Sequence, residues 1–319
     1  MTRVGLVLGA GGSVGHAFHA GVLTALADEL RWDARCADVI VGTSAGSVAG
    51  ALLRAGMSGS DLAARALDRP LSPEGQRLLA RSGLRPPVLP AQPQAGAGAR
   101  PASPARLARA FWQPWRITPG SMAAALLPAG QLSAEAMRAP MSVLFGDAWP
   151  DRPLWINAVD LDRGERVVFG REGAPPAHVA EAVAASCAIP AYFAPVEIGG
   201  ARYVDGGVHS PTNADVMVDA GVDLVLVSSP MSTTRTVQRR GIDAAMRHAL
   251  RLALAGEVAR LRSRGIAVVS FAPDAADQEV MAGNPLDPAK RAPVCRQVMA
   301  TTVRRLRRAD VRARLAALL

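Results

Sequence analysis

Twice near its start the chain passes from a short apolar run, through a glycine turn, into a helical pattern. Val4–Leu8 leads into Gly9-Ala10-Gly11-Gly12-Ser13-Val14-Gly15, after which Phe18, Val22, Leu26 and Leu30 recur at the spacing of an amphipathic helix. Val39-Ile40-Val41 leads into Gly42-Thr43-Ser44-Ala45-Gly46, and small residues with leucines then run to Ala55-Gly56. Runs that are apolar throughout suit strands buried on both faces. Strands alternating with helices belong to a mostly parallel sheet with helices over it. The pattern predicts an α/β fold of three layers, α/β/α.

The rest of the chain extends this pattern. Residues 154–159 and 166–169 flank Asp160-Leu161-Asp162-Arg163-Gly164 and read as a hairpin. Residues 179–187 read as a helix, and 201–204 as a strand entering Asp205-Gly206-Gly207. Residues 222–228 and 266–271 suit further buried strands, with helices at about 238–263 and 294–316. Residues 85–104 are rich in Pro, Ala and Gly and predict a mobile surface loop. Phe111-Trp112-Gln113-Pro114-Trp115 follows, and is read either as a lid that dips into an interface or as rings packed on the core.

Hydrophobic residues make up 50% of the 319, which excludes a disordered chain and is ample for a large core. The formal charge is +9, but residues 1–234 hold 19 basic and 20 acidic side chains whereas 235–319 hold 17 and 7. The excess therefore lies in a basic, mainly helical C-terminal region, packed on or appended to the rest. Its arginines, Arg296, Arg304, Arg305, Arg307, Arg308, Arg312 and Arg314, mostly oppose an apolar helical face. That arrangement is read either as a solvated face or as a peripheral contact with an anionic membrane. No nucleic acid partner is expected, because the segment has no aromatic to stack on bases. Cys36, Cys187 and Cys295 are too few and too scattered for a disulfide framework or a zinc site, so buried thiols are expected. The apolar stretches fall short of the ~18–20 residues of a membrane span. A cytoplasmic, membrane-peripheral location is the expectation.

Three places can carry chemistry. Gly42-x-Ser44-x-Gly46 between a strand and a helix is the pattern of a nucleophile elbow, in which the glycines admit a sharp turn that lifts Ser44 over a helix N-terminus. A plain Gly-Ser turn is the alternative. The first glycine loop offers unobstructed amides to an anion. It fails as a dinucleotide fingerprint, since Gly9-x-Gly11-x-x reaches Val14 rather than glycine and the second strand does not end in an acid. An oxyanion hole suits it better. An α/β-hydrolase triad needs a histidine late in the chain, after the acid; of the five histidines His248 is late, but it lies in an Arg-rich helical stretch and reads as solvent-facing or structural. Asp205, with Gly206 and Gly207 behind it, is the better base, although Asp-Gly-Gly is often only a turn.

Taken together, the glycine loop, the Gly-x-Ser-x-Gly elbow and the distal Asp-Gly-Gly resemble the patatin-like phospholipases, a family of lipid acyl hydrolases. Ile156-Asn157-Ala158-Val159-Asp160-Leu161 and Glu181-Ala182-Val183-Ala184-Ala185-Ser186-Cys187-Ala188-Ile189-Pro190 are similar to the family as well. The resemblance implies a catalytic domain over 1–234 and a Ser-Asp dyad without histidine, with Ser44 as nucleophile and Asp205 as base. It implies an oxyanion hole of the Gly11, Gly12 and Ala45 amides, a lipid or other acyl-ester substrate, and neither metal nor cofactor. The family loop commonly carries a basic residue where this chain has Val14, and a glycine where it has Ala10. Two alternatives stay open: an acyltransferase using the same dyad, and a catalytically impaired membrane-binding protein on the same scaffold.

Overall fold

The computed structural model describes residues 2–84, 101–104, 106, 119–234 and 242–315. The aromatic cluster at 111–115 and most of the Pro/Ala/Gly-rich stretch lie outside the described residues, and with them the choice between lid and core packing. The strands are β1 (Val4–Leu8), β2 (Val39–Thr43), β3 (Leu154–Asp160), β4 (Arg166–Phe169), β5 (Val196–Ile198), β6 (Ala201–Asp205), β7 (Leu224–Ser228) and β8 (Ala267–Phe271). The helices run α1 (Gly12–Leu30), α2 (Ala45–Arg54), α3 (Gly59–Ala66), α4 (Pro73–Ser82), α5 (Pro119–Leu126) and α6 (Glu135–Phe145). They continue with α7 (Val179–Ser186), α8 (Ile242–Ser263), α9 (Ala275–Met281), α10 (Arg291–Leu306) and α11 (Ala309–Leu315).

All the strands share one sheet in the order β5-β6-β3-β2-β1-β7-β8, with β4 paired to β3 off this path. From β3 to β8 every neighbour is parallel, while β4, β5 and β6 pair antiparallel. The predicted sheet is thus parallel through its centre and mixed at one side. Two short turns, at 161–165 and at Gly199-Gly200, fold β4 back on β3 and β6 back on β5, whereas parallel neighbours need a crossover.

Side chains alternate across the central strands, and the two sets enter different cores. Leu6, Leu8, Ile40, Leu224 and Leu226 face α1, α2, α7 and α10. Val7, Val39, Val41, Val225 and Val227 face the turn at 214–219 and Leu254, Val258 and Leu261 of α8. These are the three layers expected. Helix α1 departs from the amphipathic expectation: most of its residues are buried, because α3 and α10 cover the side turned away from the sheet. Gly21 permits this approach, since a Cβ there would meet the Cys295 carbonyl 2.9 Å away. The C-terminal region therefore belongs to the fold: β8 extends the sheet and α10 completes the burial of α1. The single helix anticipated at 294–316 is two, divided at Arg307-Arg308. Cys187 and Cys295 are buried as expected. Cys36 is exposed, because it ends a surface turn between α1 and β2.

Candidate active site

The elbow is built at the end of β2. Ser44 holds φ 54° and ψ −120°, a strained conformation for a residue with a side chain, and caps the N-terminus of α2. Its neighbours keep it there. A Cβ on Gly42 would meet the backbone of Ser47, and one on Gly46 would collide with the Leu8 carbonyl of β1. The Ser44 amide donates to Ser186 Oγ at 2.9 Å, tying the turn to the end of α7.

Sheet register brings Asp205 to this serine. Thr43 of β2 stands opposite Asn157 of β3, and Asp205 of β6 stands opposite the next residue, Ala158. Because β4 occupies the other edge of β3, β2 and β6 share one edge and meet end to end. Ser44, one residue past Thr43, consequently faces Asp205 from far away in sequence. The Ser44 hydroxyl lies within hydrogen-bonding reach of the Asp205 carboxyl and favours its charged form. Ser44 is 5% exposed and Asp205 6%. Burial pushes the Asp205 carboxyl up from 3.8 to about 6, against the opposing pull of Ser44 and of the Gly207 amide. That amide donates to Asp205 Oδ1 at 2.7 Å. Gly206 fits because the space of a Cβ is taken by the Asn157 backbone.

The first glycine loop wraps over the same point. The amides of Gly9, Ala10 and Val14 are engaged by the carbonyls of Ser228, Pro211 and Pro285 at 3.0, 2.7 and 3.0 Å. Those of Gly11, Gly12 and Ala45 have no acceptor among the described residues. Gly12 lies at φ +60°, and a Cβ on Gly11 would press on Gly15 and Pro230. His19 anchors the loop from beneath, with Nε2 2.7 Å from the Gly9 carbonyl and Nδ1 2.8 Å from Ser228 Oγ.

Several supporting residues were not singled out from sequence. Asn157 Nδ2 donates to the Gly42 carbonyl and to Thr43 Oγ1 at 3.2 and 3.3 Å. Asn213 Nδ2 donates to Thr43 Oγ1 and the Gly206 carbonyl, joining the elbow to the acid turn. Glu257 of α8, itself buried, accepts from the Ser210 and Thr212 hydroxyls and from the Ala214 amide. The segment it clamps carries both Asn213 and the Pro211 carbonyl that receives Ala10. Asn157 and Ser186 sit in the stretches similar to the family, which was a usable signal. Asn213 and Glu257 have no such mark.

Ser44 opens on a cleft with two limbs. One passes Gly11, Asp205, Gly207, Pro230 and Leu127. The other runs past Val48, Met137, Met141 and Phe193 and carries His16, Arg65 and Arg291 on its wall. His16 interacts with the Ala45 backbone, and burial with nearby Arg65 lowers it to about 3, so it is neutral at neutral pH. His248 does not line either limb. Leu286 and Arg291 bring the C-terminal region to the cleft. No described helix is long and apolar enough to cross a membrane.

The family model for patatin-like phospholipase matches residues 6–218, more than half of the chain. Two solved structures are similar at low identity. VipD from Legionella pneumophila is 13% identical with a TM-score of 0.43, over 95% of this chain and 66% of that one. The type III effector protein ExoU is 18% identical with a TM-score of 0.38, over 98% of this chain and 53% of that one. The chain thus spans just under two thirds of the first and about half of the second.

Proposed function

The chain belongs to the patatin-like phospholipase family, and from that premise we propose that it hydrolyses carboxylic acyl esters of lipids through a Ser44–Asp205 dyad. The observation that carries the reading is a strained, nearly buried serine at a helix N-terminus facing a buried carboxyl raised to about 6. A carboxyl with that value is ionised at neutral pH yet more basic than an ordinary aspartate, which suits a general base.

Asp205 takes the Ser44 proton as Oγ bonds to the ester carbonyl carbon. The electron pair of the C=O bond moves onto oxygen, where the free amides of Gly11, Gly12 and Ala45 receive it. As the tetrahedral species collapses, the alkoxide leaves with the proton from Asp205 and the acyl group stays on Ser44. Water then attacks with Asp205 again as base, the acid departs, and Ser44 Oγ recovers its proton. The strained backbone at Ser44 and the hydrogen bond from its amide to Ser186 Oγ hold the turn that carries the nucleophile, so less ordering is left for the moment of reaction.

Two assays test this reading together. Ser44→Ala should abolish labelling by a fluorophosphonate probe and turnover of p-nitrophenyl esters, and Asp205→Asn should abolish turnover. Near-wild-type hydrolysis by Ser44→Ala would sink the proposal.

A further inference from the structure

One wall of the Ser44 cleft carries a positive charge that the reaction outlined above does not use. Arg65 comes from α3 and Arg291 from the first residue of α10, and both line the limb that holds Val48, Met137 and Phe193. Arg291 reaches over to Arg65: its Nη2 donates to the Arg65 backbone carbonyl at 2.7 Å, while Arg65 Nη2 donates to the Leu84 carbonyl at 3.4 Å. No carboxylate makes an ion pair with either among the described residues. Their charged neighbour is each other, and burial together with Arg291 pulls Arg65 down to about 10. His16 beside them is neutral and adds no third cation.

A guanidinium group has five donors in a planar fork, and each of these spends one on a backbone carbonyl. Two cations held together in a partly desolvated wall, without an anion, cost stability that ordinary folding does not require. Arg166 and Arg202 are matched by Asp215 and Asp162, whereas Arg54, without an ion pair among the described residues, spends its donors on the carbonyls of Arg35, Ala37 and Pro153. Arg65 and Arg291 keep donors to spare and face the same open space as the nucleophile. Planar forks of this kind match the oxygens of phosphate and carboxylate groups.

We propose that Arg65 and Arg291 form an anion subsite that binds an oxyanionic group, phosphate or carboxylate, carried on the same substrate molecule as the ester that Ser44 attacks. The proposal rests on the acyl-hydrolase reading above and adds a substrate class to it. The apolar part of the limb takes hydrocarbon while the arginine pair reads the charge, so the preferred substrate is an anionic amphiphile. The anion belongs either to the leaving alcohol or to the acyl group.

Matched substrate pairs distinguish these sources. A 1-acylglycerol 3-phosphate against the uncharged monoacylglycerol places the anion on the leaving group. Mono-p-nitrophenyl adipate against p-nitrophenyl hexanoate places it on the acyl group. Wild-type enzyme should favour the anionic member of one pair in kcat/KM. Arg65→Gln and Arg291→Gln should each cut that anionic-to-neutral ratio on the order of tenfold to a hundredfold, the weight of a charge-assisted hydrogen bond. Arg65→Lys and Arg291→Lys should cut it less, and they serve if the Gln variants fail to fold by circular dichroism. Equal kcat/KM within both pairs, or a preference that survives these substitutions, would overturn the assignment. Cleavage of the neutral esters without an arginine-dependent preference overturns this proposal alone; cleavage of no ester by the wild type overturns the hydrolase reading and takes this one with it.

Discussion

Replacing Asp205 with asparagine should inactivate the protein and also make it more stable, and the second effect has a definite pH signature. Asparagine keeps an oxygen for the Gly207 amide that now reaches Asp205 Oδ1 at 2.7 Å, and it removes only the charge. In the folded chain the carboxyl titrates near 6, against an ordinary 3.8, because burial penalises its ionised form more than Ser44 and Gly207 favour it. A carboxyl raised on folding favours the folded state while protonated. That advantage is complete below the unfolded value and is lost as pH rises through the folded one. At about 1.4 kcal/mol per pKa unit, wild type forfeits on the order of 3 kcal/mol once pH exceeds the folded value, and roughly half of that by pH 5. The asparagine variant does not titrate there. Its melting temperature should exceed that of wild type by roughly 5 °C at pH 8, and the gap should narrow towards pH 4. Paired thermal melts across that range, followed by circular dichroism, measure it. A variant less stable than wild type at pH 8, or a gap independent of pH, would refute the claim that the site holds its base at a cost in stability.

The remaining predictions concern activity, packing and adsorption. Hydrolysis of a neutral p-nitrophenyl ester should rise with pH through about 6, as the buried Asp205 ionises, and kcat/KM against pH locates this limb; a flat profile between pH 5 and 7 would remove Asp205 as the base. Gly46→Ala sets a methyl against the Leu8 carbonyl of the central strand, and overpacking of this kind typically costs about 1–3 kcal/mol; denaturant melts should show the loss, with turnover falling as Ser44 is displaced. The exposed Arg308, between α10 and α11, and Arg312 and Arg314 of α11 should draw the protein to anionic vesicles rather than neutral ones, at about 1 kcal/mol per basic residue near the surface. Co-sedimentation should weaken in the triple Gln variant and at high salt, and salt-insensitive binding would exclude an electrostatic attachment.

Features carried by neighbours in sequence could be read from the chain alone. The two strand–glycine–helix units depend on local sterics and on apolar runs, and Gly42 meets Ser47 within its own turn. Hence Ser44, the loop amides and the central parallel strands were all legible. Asp205 was legible as a candidate, through Asp-Gly-Gly and the resemblance of the segments around it. The resemblance implied its pairing with Ser44, but the spatial reason for that pairing is a matter of register: β2 and β6 meet because both pair along one edge of β3. Composition could not say where the basic C-terminal region goes. Counting charges separated it from the rest, whereas the fold lays α10 on α1, adds β8 to the sheet and turns Arg291 toward the cleft. Glu257 and Asn213 escaped for the same reason, since each acts on a segment it reaches only through tertiary packing. A residue type and a turn are properties of a few consecutive positions, and the sequence by itself determined those. Which charge lies beside which carboxyl, and which cations are left without one, depends on distances between segments remote in the chain, and only the tertiary structure decided them.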